Sequence, residues 1–155
     1  MTSPNALLLQ RMNALKDAAS VERLSAAQQE AMDQIRKHRD DDARFINLYG
    51  PEEAGKTFLC WALREAEDWE YHPQMPESAD EPVVIYDHGE ADRMATRNLR
   101  NHASINGLAT IVYVTHRPAE EVFPRVELAP GEDHYQTVRA NWEALGLSVE
   151  HAPTM

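Results

Sequence analysis

The feature that most constrains this chain is the eight-residue segment GPEEAGKT at residues 50–57. It directly follows an apolar stretch, Phe45 to Tyr49, rich in residues that favour strands. Its two glycines allow backbone turns that other residues resist. After it, apolar residues recur at the spacing of one helical face, namely Leu59, Ala62, Leu63 and Ala66. The segment therefore predicts a strand, a tight glycine-flanked loop and a helix in succession.

The residue types of this loop fit the pattern Gly-x-x-x-x-Gly-Lys-Thr, which binds phosphate groups. Loop N–H groups would face the phosphates, Lys56 would supply a positive charge, and the Thr57 hydroxyl would ligate Mg²⁺. The acidic side chains of Glu52 and Glu53 are expected to point to solvent. A plain glycine turn between strand and helix is the alternative. The predicted nucleotide-binding residues are Gly50, Pro51, Glu52, Glu53, Ala54, Gly55, Lys56 and Thr57.

Apolar runs and helical patterns alternate along the rest of the chain. The runs PVVIYD (82–87) and LATIVYVT (108–115) are apolar on both faces, as buried parallel strands are. This alternation predicts an α/β fold of three layers, with a small, mostly parallel sheet and N-terminal helices. The other predicted elements are helices from Ser3 and from Ser25, a loop over 71–82 with or without one short strand before it, a helix over 91–104, a short strand over 125–128 and a helix over 134–145.

Length and composition limit the class of protein. At 155 residues the chain fits one domain, with N-terminal helices at 1–40, a phosphate-loop core at 41–130 and a C-terminal helix and tail at 131–155. It has a single cysteine, Cys60, no long apolar run and no signal-peptide pattern. We therefore expect a soluble cytoplasmic protein without membrane contacts.

The charge balance is strongly acidic, with 26 acidic residues against 15 basic ones and a net charge of −11. Arginine largely replaces lysine, a composition that resembles proteins of salt-loving organisms, where high ionic strength screens self-repulsion. Such a charge argues against broad nonspecific binding of nucleic acid, which needs clustered positive charge. A local patch stays open, because Arg93, Arg97 and Arg100 recur at helical spacing.

The sequence segments in and around the loop resemble those of known families. YGPE followed by GKT resembles the phosphate loop of RecA-type recombinases, and GP followed by GKT is similar to that of many AAA+ ATPases. Upstream, LSAAQQEAM (24–32) resembles a segment of superfamily 1 helicases whose glutamine hydrogen-bonds adenine, a role that falls here on Gln28. Closing a capping box with Ser25 is the other interpretation of Gln28. The resemblance implies a P-loop NTPase of the additional-strand group.

The run Val83-Val84-Ile85-Tyr86-Asp87 resembles a Walker B segment, which implies that Asp87 holds Mg²⁺ through its water shell. An aspartate that caps the next turn is the alternative. AAA+ proteins place a glutamate directly after this aspartate, whereas His88 stands here and Glu90 follows two residues later. Glu90 is therefore the candidate that polarises the attacking water, with His88 or a plain solvated acid as alternatives.

The order of elements in AAA+ proteins implies two further site residues. Thr115, at the end of the third strand, would sense the γ-phosphate. Arg125 opens the short strand where AAA+ rings place an arginine finger that acts on the neighbouring subunit, and Arg117 competes for that role. Both arginines can equally be surface cations. Only about 30 residues separate Thr57 from Asp87, so a minimal member of the group is expected.

These features predict a Mg²⁺-dependent ATPase with ATP and Mg²⁺ as cofactors. By analogy it would be a self-associating subunit, or an accessory of a larger ATP-driven complex, in a DNA-related process. A nucleotide or small-molecule kinase is one alternative, although no lid insertion is evident. A switch or adaptor that binds nucleotide without hydrolysing it is another, motivated by His88.

Overall fold

The computed structural model describes residues 13–120, 123–129 and 132–146. Its centre is a sheet of five parallel strands in the order β2-β3-β4-β1-β5. The strands are β1 (Phe45–Tyr49), β2 (Glu70–His72), β3 (Val83–Tyr86), β4 (Thr110–Thr115) and β5 (Arg125–Glu127). The helices are α1 (Ala26–Asp40), α2 (Lys56–Glu67), α3 (Arg93–Asn106) and α4 (Glu132–Ala144), and Val21–Arg23 forms a 3₁₀ turn.

Helices cover both faces of this sheet, which confirms the predicted α/β class. Every residue of β3 and β4 is buried, as their continuous apolar runs predict. Successive side chains alternate between two clusters, so that Val112 and Val114 face α1 and α2 while Ile111 and Tyr113 face α3. Residues 50–55 therefore lie between the buried strand β1 and α2, which packs against the same face of the sheet.

Local signals in the sequence set the ends of the helices. Ser25 accepts a hydrogen bond from the N–H of Gln28, and the Gln28 side chain accepts one from the N–H of Ser25, which confirms the predicted capping box of α1. Asp92 caps α3 through the N–H of Ala95. Gly107 ends α3 in the left-handed conformation, which glycine adopts without steric cost.

The loop predicted over 71–82 follows a short strand and begins two residues later than expected. Its first two residues belong to β2, an edge strand that pairs with β3. Residues 73–82 then return to the start of β3 without a helix. Ala79 lies against Leu99 and Ala103 of α3, so this loop covers the sheet beside α3, where a crossover helix would otherwise lie.

The chain ends are described only in part. Residues 13–18 are helical, and the rest of the helix predicted from Ser3 lies outside the described residues, as does the tail over 147–155. No helix in the described part of the chain has the length and apolar character needed to cross a membrane.

Candidate functional site

The loop between β1 and α2 lies at the carboxyl edge of the parallel sheet, where ligands of open α/β folds bind. A hydrogen bond of 3.3 Å from the N–H of Ala54 to the carbonyl of Pro51 closes a turn within the loop. Glu53 and Gly55 both adopt positive φ, of 62° and 90°. Glu52 and Glu53 are exposed, as expected, although both also line the cavity beside the loop.

Close approaches require both glycines of the loop, and the positive φ of Gly55 requires that one a second time. A Cβ on Gly50 would lie 2.5 Å from the carbonyl oxygen of Leu128. A Cβ on Gly55 would lie 2.4 Å from Nε2 of Gln28 and 2.7 Å from Cε1 of His134. The loop is thus enclosed by α1 and α4, which leaves no room for larger residues.

Lys56 begins α2 and folds back over the loop. Its ammonium donates to the carbonyl oxygens of Gly50 and Pro51 and lies 3.5 Å from Nδ1 of His116. Burial lowers the pKa of Lys56, while the negative charge of Asp87 acts in the opposite direction. The ammonium therefore has carbonyl dipoles, the His116 ring and a nearby carboxylate as partners, and an anion in the loop would offer it a stronger one.

Asp87, directly after β3, collects hydrogen bonds from three directions. Its Oδ2 accepts from the hydroxyl of Thr57 at 2.7 Å and from that of Tyr71 at 2.8 Å. Its Oδ1 accepts from the N–H of His88 at 2.8 Å. Only 3% of Asp87 is exposed. Tyr71, on the edge strand β2, was not anticipated, because its position depends on the pairing of β2 with β3.

Thr115 ends β4 and lies opposite Tyr49 in the register of the sheet. Its hydroxyl accepts from Nδ2 of Asn47 at 3.0 Å and donates to the carbonyl of Arg117 at 2.6 Å. Asn47 also accepts at Oδ1 from the N–H of Ala119, at 3.0 Å. The buried side chain of Asn47 thus holds the end of β4 in place. In the sequence, Asn47 is marked only as the one polar residue of the apolar strand FINLY.

Two predicted catalytic residues, Glu90 and Arg125, lie apart from the group formed by Lys56, Thr57, Asp87 and Thr115. The side chain of Glu90 is exposed, and its backbone carbonyl accepts the hydroxyl of Tyr113 at 2.8 Å. Arg125 is exposed and donates to the carbonyl of Ala119 at 2.7 Å. Neither lines the cavity beside the loop, whereas His88, with 58% of its side chain exposed, does.

Both the oxygen and the nitrogen of the Gln28 side-chain amide form hydrogen bonds with other residues of the chain. Oε1 accepts from the N–H of Ser25 at 2.9 Å, and Nε2 donates to the carbonyl of Gly55 at 3.0 Å. The glutamine thus closes the capping box and also ties α1 to the loop. These two bonds leave one N–H and one oxygen lone pair of the amide for an adenine, and Gln28 lines the cavity beside the loop.

A cavity of about 460 Å³ opens beside the loop. Its polar lining includes Lys56, Thr57, Asp87 and Thr115, and its apolar lining, here called the apolar wall, includes Phe58, Trp61, Val138 and Trp142. α4 forms its roof through one helical face, because Val138, Asn141 and Trp142 follow His134 at spacings of four, seven and eight residues.

α4 is fixed over the loop by contacts with the segment that precedes α1. Asn141 donates to the carbonyl of Arg23 at 2.8 Å, and Nδ1 of His134 lies 3.3 Å from the hydroxyl of Ser25. The spacing of these residues marks an amphipathic helix, but the sequence does not show which surface it covers. The role of α4 was therefore missed.

The described residues include no cluster of three or more His, Cys, Asp or Glu side chains suited to a metal ion. Thr57 and Asp87 nevertheless offer two adjacent oxygens, and Mg²⁺ commonly takes its remaining ligands from phosphates and water. No protein-family model matches the chain, and no curated protein is significantly similar to it.

Proposed function

We propose that this protein binds ATP with Mg²⁺ and hydrolyses it, as a minimal P-loop ATPase of the additional-strand group. The observation that carries the proposal is the contact between the Thr57 hydroxyl and the Asp87 carboxylate, with the Lys56 ammonium close by. The sequence motifs predict that these side chains share one site. A glycine turn with no ligand gives no reason for them to meet.

The strand order supports the same assignment. β1 carries the loop and β3 carries Asp87, yet β4 lies between them in the sheet. The proposal identifies this intervening strand with the additional strand that gives the group its name. The loop that leads to Thr57 follows the carboxyl end of β1, and Asp87 follows the carboxyl end of β3. Thr57 and Asp87 therefore meet across the carboxyl end of β4, which is Thr115.

The chain supplies distinct groups for each part of the ligand. The loop N–H groups and Lys56 would hold the phosphates, with the ammonium exchanging its carbonyl partners for phosphate oxygens. Thr57 and Asp87 would hold Mg²⁺, which neutralises charge on the phosphates during hydrolysis. The apolar wall of Phe58, Trp61, Val138 and Trp142 would take the base.

Thermal unfolding with nucleotides tests this proposal. In high salt with Mg²⁺, ATP should raise the melting temperature of the wild type and leave that of Lys56→Ala unchanged. Lys37→Ala, which removes an exposed lysine of α1, is the matched control and should respond like the wild type. Full nucleotide binding by Lys56→Ala would contradict the proposal. Phosphate release without an added acceptor distinguishes an ATPase from a kinase.

A second candidate function is a nucleotide-dependent switch without turnover. The exposed position of Glu90 favours it, because a general base must lie within reach of the attacking water. If the protein is an ATPase with Glu90 as base, Glu90→Gln lowers phosphate release and leaves ATP binding intact, while His88→Ala retains release. Loss of release in His88→Ala alone would assign the base to His88. ATP binding with background release from the wild type would establish the switch.

A further inference from the structure

The outer surface of α3 has a charge opposite to that of the protein as a whole. α3 contains three arginines and no acidic residue, although the chain carries 26 acids. Arg93, Arg97 and Arg100 are all exposed and follow one another at spacings of four and three residues, so they form a ridge along the helix. Arg100 lies over the rings of Phe45 and Phe123, which places the ridge on the β1 side of α3.

A second strip of exposed residues runs beside this ridge. At 100° per residue, Met94, Asn98, Asn101 and Ile105 fall within an arc of about 60°. Met94 is 75% exposed and Ile105 is 83% exposed. Largely exposed apolar side chains at both ends of one strip are the kind of surface that association removes from water.

The loop over 73–82 borders the opposite side of α3. Its Ala79 N–H donates to Oδ1 of Asn106 at 3.2 Å. The loop contains three exposed acids, Glu77, Asp80 and Glu81, and no basic residue. It also contains Met75, which is 42% exposed. Within the described part of the chain, the large hydrophobic residues that are exposed are Met75, Met94 and Ile105, and all three belong to α3 or to this loop.

We propose that this surface binds a second copy of the chain, in a dimer whose twofold axis runs parallel to α3. This axis would place the strip from Met94 to Ile105 of one copy against the same strip of the other, at the centre of the interface. It would also place the arginine ridge of each copy against the acidic loop of the other, so that the opposite charges meet twice. Nucleic acid is the less suitable occupant, because the acidic loop would repel its phosphates and the exposed methionines and isoleucine would find no partner.

The dimer is expected to be weak and concentration-dependent. A helix of 14 residues is about 21 Å long, so the paired surfaces lie at the lower end of the range for specific interfaces. Sedimentation of the full chain without nucleotide over a range of concentrations measures the association. A wild type that stays monomeric at the highest soluble concentration would refute the proposal.

Charge reversal gives the decisive test. Arg93→Glu/Arg97→Glu and Glu77→Arg/Glu81→Arg should each raise the dimer dissociation constant by about tenfold or more, because like charges then face each other. An equal mixture of the two variants should restore association as a heterodimer, since both charged contacts are again complementary. Lys37→Glu, on α1, should associate like the wild type. A mixture that stays monomeric while each variant is folded would overturn the proposed face, and so would undiminished association of each variant alone.

Discussion

The hydroxyl of Thr57 donates a hydrogen bond of 2.7 Å to Oδ2 of Asp87, which lies 30 residues further along the chain. Two oxygens bound side by side to one Mg²⁺ at about 2.1 Å lie about 3 Å apart. A cation can therefore replace this hydrogen bond after a small displacement of either side chain. Tyr71 and the N–H of His88 hold the carboxylate in position meanwhile.

Thr57→Val should abolish the Mg²⁺-dependent part of ATP binding. Valine has nearly the same shape as threonine but lacks the hydroxyl oxygen that would ligate the cation. We expect the gain in melting temperature with ATP to be the same with Mg²⁺ as with a chelator in this variant, whereas Mg²⁺ increases it in the wild type. Thr57→Ser keeps the oxygen and is the control. A Mg²⁺ effect of wild-type size in Thr57→Val would remove Thr57 from the metal site.

Lys56 should give the ligand-free protein a characteristic alkaline pH dependence. Burial lowers its pKa below the ordinary value of 10.5, so between the folded-state pKa and 10.5 the unfolded chain binds more protons than the folded one. The free energy of unfolding contributed by Lys56 therefore rises with pH across this window and is constant below it. Urea unfolding at a series of pH values should show this rise in the wild type and its loss in Lys56→Met.

Lys37→Met provides the comparison for that experiment, because it removes an exposed lysine and leaves the buried ammonium in place. It should retain the alkaline rise of the wild type. If Lys56→Met retained it as well, the ammonium of Lys56 would not be desolvated in the folded protein, and the folded-back position of its side chain would be wrong.

The sequence predicted the parts of the fold that local patterns determine. The capping box at Ser25, the loop between β1 and α2 and the buried strands β3 and β4 all follow from residue types within a few positions of one another. The meeting of Thr57 with Asp87 was also predictable in outline, because each follows a motif expected at the carboxyl ends of parallel strands.

The surroundings of the site could not be predicted, because they depend on contacts between distant parts of the chain. His134 and Ser25 are separated by 109 residues, and nothing in either segment identifies the other. Tyr71 reaches Asp87 only because the short strand β2 pairs with β3. Glu90 was chosen by its distance from Asp87 in sequence, and the turn after Asp87 leaves its side chain exposed.

The fluorescence of Trp142 should change when the base of a nucleotide binds beside it. Trp61 and Trp142 line the apolar wall of the cavity, whereas Trp69 does not. ATP should change the tryptophan emission, and tripolyphosphate, which lacks a base, should not. Trp142→Ala should weaken ATP binding by about tenfold through lost stacking and leave tripolyphosphate binding unchanged. Trp69→Phe is the matched control for emission. An equal loss of affinity for both ligands would show that Trp142 supports the loop and does not contact the base.

Gly55→Ala should destabilise the protein more than Gly107→Ala, although both glycines have positive φ, of 90° and 63°. At Gly107 an added Cβ meets nothing within 4 Å, so only the left-handed backbone is strained, at about 1–2 kcal/mol. At Gly55 the Cβ would also collide with Gln28 and His134, which adds about 1–3 kcal/mol and pushes α1 and α4 away from the loop. Urea unfolding of both variants measures the difference. Equal losses would mean that α4 does not close over the loop in solution, and the roof of the cavity would then be absent.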